Sequence, residues 1–257
     1  MRLVVDSIGA GEDLVVLHGW ALHCGLFDGS AAALAERFRV HFIDLPGHGH
    51  NAANPLPADI DTLAGEVLDA APTHAHWLGW SLGGMVAMAA AARAPARVHR
   101  VVTVASSPRF IVGPDWPAAI PVATLDAMAA SLQENFHLTV KNFLALQVLG
   151  DDQAFSLLRE LRDKAYAHGE PKAASLANGL KILRDADLRP RLRDIRAPLL
   201  AIMGSRDRLA PPAAGQALAN LVPDGRSLTL AKAAHAPFIS HREEFLDAVF
   251  AFLEEDR

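Results

Sequence analysis

A single serine stands between two glycines in the segment GWSLG (79–83). An apolar run that favours a strand precedes this segment, and a run of small residues that favours a helix follows it. A sharp strand-to-helix turn of this G-x-S-x-G type strains the serine and exposes its hydroxyl at a helix N-terminus, whose positive end favours a developing oxyanion. The pattern therefore predicts that Ser81 is a nucleophile, although an ordinary tight turn would also tolerate two glycines.

A serine hydroxyl is a weak nucleophile unless a base removes its proton. On sheets with a nucleophile at such a turn, an acid and then a histidine follow along the chain. Asp207 follows the apolar run LLAIMG, and His235 follows SLTL, so both stand after predicted strands. Taken singly, Asp207 could be a helix N-cap and His235 a packing residue. Their order favours a base oriented by an acid, with Asp185 and Asp187 as rival acids.

An oxyanion produced by attack of Ser81 needs two main-chain N–H donors. One is expected from Leu82, directly after the nucleophile, and the other from the loop after an earlier strand. That loop reads LHGW, which makes the N–H of Trp20 the second candidate, unless the loop is only a tight turn. The following turn, DLPGHG (44–49), is interpreted as structural.

The elements that must position these residues alternate along the chain. Short β-branched or apolar runs predict strands buried on both faces of a parallel sheet, and longer patterns between them predict crossover helices. A capping box is expected at Ser240 and Glu243. Alternation of this kind indicates an α/β fold with a mostly parallel, doubly wound sheet. The predicted strands are 14–17, 40–44, 76–79, 101–105, 199–204 and 227–230, and the predicted helices are 30–38, 61–70, 82–93, 212–221 and 241–254.

One long interval departs from this alternation. Between VVTVASS and APLLAIMG the chain has helical patterns and no clear strand. A stripe from Phe136 to Gln147 follows helical spacing. We interpret 109–189 as a helical lid inserted into a core formed by 1–108 and 190–257, because it begins directly after one strand and returns directly to another. The alternative is a helix bundle packed onto the core.

Composition excludes several other classes of protein. The net charge is −5 with both signs well mixed, which argues against nucleic-acid and membrane-surface partners. One cysteine, Cys24, cannot form an internal disulfide or a cysteine-rich metal site. The pairs His48/His50 and His74/His76 lack ligand spacing and are expected at the surface or in turns. No apolar run is long enough to span a bilayer. The expectation is a cytoplasmic protein that uses no metal and no cofactor.

Several segments together resemble a known family. LHGW, WLGWSLGG, VTVASSP, FLALQ and AKAAHAPFISH are similar to the α/β-hydrolases, and among them to the pimeloyl-[acyl-carrier protein] methyl ester esterase family of biotin synthesis. The resemblance implies a serine carboxylesterase with a Ser81, Asp207 and His235 triad and an oxyanion hole at Trp20 and Leu82. It also implies a set of residues that contact the substrate. They are Trp20, Trp80, Ser81, Leu82, Phe143, Leu144, Ala145, Leu146, Gln147 and His235.

The resemblance also implies a partner, an acidic acyl carrier protein bearing a methyl-ester acyl chain. Leu138 and Asn142 stand where docking arginines are expected, and the charge excess lies in 153–184, with six basic and three acidic residues. The docking candidates are therefore Lys141, Arg159, Arg162 and Lys164. Three alternatives stay open: a general short-chain carboxylesterase acting on small-molecule esters, a C–C hydrolase of the same fold, and a ligand sensor with little turnover.

Overall fold

The computed structural model describes residues 2–255, and its centre is a seven-stranded sheet. The strand order is β1-β3-β2-β4-β5-β6-β7, with β1 antiparallel and all other neighbours parallel. The six predicted strands are confirmed as β2 to β7, whereas the short edge strand β1 was not predicted. The strands are β1 Asp6–Ile8, β2 Glu12–Leu17, β3 Phe38–Ile43, β4 Ala75–Trp80, β5 Val98–Val104, β6 Leu199–Gly204 and β7 Gly225–Leu230.

Ten α-helices follow or separate these strands in the described part of the chain. Those outside the segment 109–189 are α1 Asp28–Ala35, α2 Ile60–Ala70, α3 Leu82–Arg93, α8 Pro212–Ala219, α9 Pro237–Ser240 and α10 Arg242–Leu253. All residues of β4 and β6 are buried, so helices cover both faces of the sheet. The doubly wound α/β fold predicted from the alternation is therefore confirmed. No helix between residues 2 and 255 combines the length and the apolar character that a membrane span requires.

Helix α3 carries the small-residue run that follows Ser81. Ten of its residues are buried, from Leu82 to Ala91. Alanine and glycine side chains allow the helix backbone to approach β4 and β5 closely, which a run of larger residues would prevent. The predicted nucleophile therefore lies between a buried central strand and a helix held tightly against the sheet.

The segment 109–189 contains the four helices between β5 and β6. They are α4 Val122–Glu134, α5 Phe136–Gln147, α6 Ala154–Lys164 and α7 Ala173–Asp185. The stripe read from the sequence is α5, which begins with Asn135 as N-cap, whose side chain accepts the N–H of Leu138 at 3.0 Å. Helix α4 packs against α5 and α7, and α5 packs against α6. The division into core and lid stays a prediction.

One predicted helix start was wrong. The last helix, α10, begins at Arg242 with His241 as its N-cap, so Ser240 and Glu243 do not form a capping box. Ser240 instead ends the short helix α9, and its hydroxyl hydrogen-bonds to Nδ1 of His241 at 2.7 Å. The sequence pattern could not show that Pro237 opens a separate helical turn just before α10.

Candidate active site

Ser81 lies at the carboxyl end of β4 in a strained conformation, with φ 54° and ψ −115°. Its N–H donates to the carbonyl of Val104 at 2.9 Å, and its carbonyl accepts the hydroxyl of Ser106 at 2.7 Å. A Cβ at Gly79 would lie 2.3 Å from the carbonyl oxygen of Gly83, so the turn leaves no room for a side chain there. The two glycines are therefore required by backbone contact, as the sequence pattern predicts.

Asp207 and His235 form a buried pair beyond the ends of β6 and β7. Nδ1 of His235 lies 2.8 Å from one carboxylate oxygen of Asp207. The other oxygen accepts the N–H groups of Leu209 and Ala210 at 2.8 and 3.0 Å. Because two main-chain donors hold the carboxylate, its orientation towards the imidazole is fixed. Nε2 of His235 is buried and has no hydrogen-bond partner among residues 2–255.

The main chain of His235 is held from two sides. Its N–H donates to the carbonyl of Gln147 at 3.0 Å, and its carbonyl accepts the indole N–H of Trp80 at 2.8 Å. Trp80 immediately precedes Ser81, and Gln147 is the last residue of α5. The position of this imidazole therefore depends on β4 and on the insertion together.

The loop after β2 passes directly beside Ser81. A Cβ at Gly19 would lie 3.2 Å from the Cβ of Ser81, which places the following peptide next to the serine. The main-chain N–H groups of Trp20 and Leu82 meet no acceptor within the described chain. Both residues are fully buried. The two predicted oxyanion donors are thus unused by the protein itself.

The side chain of Trp20 connects this loop to the insertion. Its indole N–H donates to the carbonyl of Leu176 at 2.8 Å. Its ring meets the ring of Phe143 edge to face, with centroids 4.8 Å apart. This single residue therefore carries a candidate oxyanion donor on its main chain and a contact with the insertion on its side chain.

The predicted substrate-contacting segment forms the end of α5. Phe143, Leu144 and Gln147 are buried, whereas Ala145 and Leu146 are half-buried. The Gln147 amide is fully buried, and neither its oxygen nor its nitrogen has a partner among the described residues. An unpaired buried amide is costly, at about 1–3 kcal/mol. An arrangement of this kind fits a group that bonds to a ligand rather than to the protein.

The rival acids are engaged in ion pairs with basic side chains. Asp187 bonds to Arg189 and to Arg109, and these contacts lower the pKa of Asp187 to about 2, with the Arg189 hydrogen bond as the largest cause. Asp185 pairs with Lys181 at 2.7 Å. Only Asp207 among the three candidates bonds to the imidazole of His235.

The four docking candidates lie on α5 and α6 but differ in their surroundings. Lys141, Arg159 and Arg162 are exposed, and Arg159 lies 3.8 Å from Asp163. The fourth, Lys164, is largely covered and lies near acidic side chains, those of Asp28 and Glu160. Phe155, on the same helix, is 88% exposed. The exposed surface of α6 therefore presents two arginines and an aromatic ring.

Of the two histidine pairs expected at the surface or in turns, one member of each is buried; His48 does lie in a turn, whereas His76 lies on a strand, so the expectation was wrong for His76. His48 lies in the turn after β3 with no exposed area, and His76 lies on β4 and is 3% exposed. Burial lowers the pKa of His48 to about 4 and also lowers the pKa of His76. The other two members of the pairs, His50 and His74, are exposed as expected. The two-residue spacing within each histidine pair does not indicate that tertiary packing buries only one of its two side chains.

A cluster of histidines joins the insertion to the turn after β3. Ligand atoms of His23, Asp44 and His168 lie within 4.8 Å of one another. However, the rings of His23 and His168 stack at 27° with centroids 4.1 Å apart, so their in-plane lone pairs do not converge on one point. His23 also uses both nitrogens, with Gly25 N–H and with the Lys164 carbonyl. This geometry favours a stacked contact over a metal site.

Two residues that the sequence reasoning missed hold the site in place. Ser106 is fully buried, and its hydroxyl bonds to the carbonyl of Ser81. Asp151 lies in the loop after α5. Its carboxylate accepts the N–H of Ala234, the residue directly before His235, at 3.1 Å. The only available signal for Ser106 was its position after a predicted strand next to the Ser81 strand.

Comparisons with known proteins agree with this fold. Residues 14–242 match the family described as alpha/beta hydrolase fold. The chain is 41% identical over 249 residues to the pimeloyl-[acyl-carrier protein] methyl ester esterase of Stenotrophomonas maltophilia, covering 97% of this chain and 95% of that one. It is 44% identical over 248 residues to the enzyme of that name from Pectobacterium atrosepticum, covering 96% of each.

Solved structures show the same architecture. The esterase from Exiguobacterium antarcticum superimposes with a TM-score of 0.85, over 98% of this chain and 96% of that chain, at 21% identity. Identity at that level supports the fold and nothing finer. The sequence matches, in contrast, extend over nearly the full length of both chains at identities high enough to show family membership.

Proposed function

Because the chain belongs to the α/β-hydrolases and, within them, to the pimeloyl-[acyl-carrier protein] methyl ester esterase family, we propose that it is a serine carboxylesterase acting on the methyl ester of pimeloyl-[acyl-carrier protein]. Hydrolysis frees the pimeloyl carboxylate for biotin synthesis. The observation that carries the proposal is the hydrogen bond between Nδ1 of His235 and Asp207, together with a buried Nε2 that has no partner among residues 2–255.

The first half of the reaction is acylation of Ser81. The serine oxygen attacks the ester carbonyl while Nε2 of His235 takes its proton, and Asp207 stabilises the imidazolium that forms. The N–H groups of Trp20 and Leu82 donate to the tetrahedral oxyanion. The C–O bond to the methoxy group then breaks, and the imidazolium returns the proton, so that methanol leaves and an acyl-enzyme remains.

The second half returns the enzyme to its starting state. A water molecule gives a proton to Nε2 of His235 and attacks the acyl-enzyme carbonyl, which passes through a second oxyanion in the same hole. When the bond to Ser81 breaks, the serine oxygen regains its proton from His235 and the carboxylate is released. No other group is needed, because these residues supply every proton transfer and the charge stabilisation.

The acyl chain is proposed to lie under α5. Trp20, Trp80, Phe143 and Leu144 offer buried apolar surface, with Ala145 and Leu146 at its margin. The unpaired amide of Gln147 supplies the polar group that such an apolar pocket needs to orient a ligand. We propose that this amide bonds to an oxygen of the substrate.

The carrier protein is proposed to dock on the insertion through Arg159 and Arg162, with Lys141 and Lys164 contributing less. The chain as a whole is acidic, at −5, so attraction of an acidic carrier must come from a local patch. Exposed charges act over about 8 Å at physiological salt, which is short enough for such a patch to dominate nearby. Steering of this kind acts mainly on the association rate.

The nucleophile is tested by the Ser81→Ala variant. Release of methanol from the carrier-bound methyl ester should fall by at least about a thousandfold, because the acyl-enzyme can no longer form. A Ser7→Ala variant, altered on the exposed edge strand β1, serves as the control and should retain the parent rate. Retention of a tenth or more of the activity by Ser81→Ala would exclude Ser81 as the nucleophile.

The docking surface is tested by a pair of matched double reversals. Arg159→Glu with Arg162→Glu should raise KM for the carrier-bound ester and weaken its dependence on salt, while turnover of a small free ester changes little. The control reverses Arg193 and Arg196, which are also exposed and three residues apart. These two residues directly precede β6 and so lie at the amino ends of the strands. Equal effects of the two double reversals would show that α6 is not the dock.

A general carboxylesterase is the second candidate, and one observation favours it. Arg159 lies near Asp163, and Lys164 lies between Asp28 and Glu160, so nearby acids partly neutralise the basic patch. The unmodified enzyme separates the two functions, because an esterase specific for the carrier-bound substrate has a much larger kcat/KM for it than for free dimethyl pimelate. Similar values for the two esters would establish the general esterase. No turnover of any ester would favour a ligand sensor.

A further inference from the structure

The peptide group between Gly19 and Trp20 has an unusual position. It lies beside Ser81, because the Cα of Gly19 faces the Cβ of that serine. Its N–H is the candidate oxyanion donor of Trp20, and its C=O belongs to Gly19. No helix or strand includes this peptide, and the next residue, Ala21, has a φ of 65°. Regular secondary structure therefore does not set its orientation.

His18 holds the carbonyl end of this peptide. Its Nδ1 lies 2.7 Å from the carbonyl oxygen of Gly19, whereas the only other donor to that oxygen in the described chain, the N–H of Leu22, is at 3.4 Å. His18 has no exposed area. The His18 side chain thus makes a short, buried contact with the peptide group that carries the Trp20 N–H.

The second nitrogen of His18 determines which tautomer is present. Nε2 lies 2.8 Å from the main-chain N–H of Leu45 and must accept that hydrogen. Nδ1 therefore carries the proton of the neutral imidazole and donates it to the Gly19 carbonyl. Burial and the neighbouring His48 ring, 5.2 Å away, keep His18 neutral by lowering its pKa to about 3. The neutral tautomer with Nδ1 as donor therefore persists well below neutral pH.

We propose that His18 is a positioning residue that orients and polarises the Gly19–Trp20 peptide, so that the Trp20 N–H points at the reacting carbonyl with added donor strength. The inference rests on the proposed esterase function. A hydrogen bond to the oxygen of an amide polarises the N–H of the same amide, since bonded dipoles in a chain reinforce one another. Pre-orientation matters because an oxyanion donor acts only at the correct distance and angle.

The competing explanation is that His18 only ties two loops together through Leu45. The two nitrogens allow the roles to be separated. In His18→Asn the side-chain NH₂ can take the place of Nδ1–H and donate to the Gly19 carbonyl, but nothing reaches Leu45. In His18→Gln the side-chain oxygen can take the place of Nε2 and accept from Leu45, but the donor near the Gly19 carbonyl is lost. His18→Ala removes both contacts.

The experiment measures kcat and KM on a p-nitrophenyl ester for the three variants, together with the affinity for an arylboronic acid, whose tetrahedral adduct with Ser81 resembles the oxyanion. We expect His18→Ala and His18→Gln to lose about tenfold to a hundredfold in kcat, somewhat less than removal of an oxyanion donor costs, with KM little changed. His18→Asn should recover at least tenfold of that loss. Boronate affinity should follow kcat across the series.

Other outcomes contradict the proposal. Recovery by His18→Gln instead of His18→Asn would assign His18 to the Leu45 contact. Losses in kcat that are equal in the three variants and follow their thermal midpoints would show a purely structural role, as would unchanged kcat in all of them. Failure of the esterase function itself is recognised separately, because the parent enzyme would then turn over no ester, or Ser81→Ala would retain the activity of the parent.

Discussion

The buried imidazole of His48 allows a quantitative prediction about stability in acid. Its Nδ1 lies 2.9 Å from the carbonyl of Pro46, so this nitrogen carries the proton, and Nε2 has no partner among the described residues. A second proton would have to be placed on Nε2 in a site with no acceptor and no water contact. Burial therefore lowers the pKa of His48 to about 4, and the partly compensating influences of Pro46 and Asp44 are smaller.

The sign of the effect follows from the direction of this change. In the unfolded chain His48 titrates near 6.5, and in the folded protein near 4, so the unfolded state binds the proton first as the pH falls. The stabilisation is complete above about pH 6.5 and is lost as the pH falls towards 4. At about 1.4 kcal/mol for each pH unit between the two values, His48 alone accounts for roughly 3 kcal/mol of the free energy of unfolding.

The assay compares guanidinium unfolding of the parent and of His48→Asn at pH values from 8 to 4.5. The asparagine can still donate to the Pro46 carbonyl but takes up no proton. Between pH 6 and 4.5 the free energy of unfolding of the variant should therefore fall less steeply, by about 1.2 kcal/mol per pH unit. His137→Asn, altered at a side chain that is 68% exposed, is the control and should keep the slope of the parent. If His48→Asn also kept that slope, the folded protein would be accepting the proton and the argument from burial would fail.

Three further changes test the site. Asp207→Asn should lower kcat by several orders of magnitude through loss of the needed histidine tautomer, whereas Asp187→Asn should not. The reverse result in a steady-state ester assay would make Asp187 the acid. Gln147→Leu should raise the free energy of unfolding by about 1 kcal/mol, because a buried amide that has no partner among the described residues is removed. The same variant should have a lower kcat/KM. A variant that is less stable than the parent but fully active would contradict both expectations. Gly179→Ala should lower kcat, since its Cβ would lie 2.5 Å from the Trp20 ring, and a crystal structure would show that ring displaced; unchanged kcat despite the displacement would refute this expectation.

The sequence was sufficient for the architecture because the relevant signals are local. Apolar runs and helical spacing predicted six strands and five core helices whose ends differ from the observed ones by a few residues at most. Parallel connections then bring the carboxyl ends of the strands to one edge of the sheet, which is where Ser81, Asp207 and His235 follow their strands. The pairing of Asp207 with His235 could thus be predicted from order and placement alone.

Features that depend on distant contacts could not be predicted in this way. Burial of His48 but not of His50 depends on what packs over the turn after β3, which a two-residue spacing does not encode. The failed capping box at Ser240 has a similar cause, since an N-cap needs extended backbone and α9 already occupies that position. The unpredicted strand β1 has only three residues and forms by pairing with β3, so its own sequence carries little signal.

The contacts of His235 tie the candidate site to the segment between β5 and β6. The N–H of this residue bonds to the carbonyl of Gln147, and the N–H of Ala234 bonds to the side chain of Asp151. Both acceptors belong to the segment between β5 and β6, although His235 itself follows β7. Near the same place, the Trp20 indole bonds to Leu176 on α7. Since the loop that carries the imidazole and the loop that carries an oxyanion donor are both anchored on the segment between β5 and β6, displacement of its helices would disturb the geometry of the candidate site.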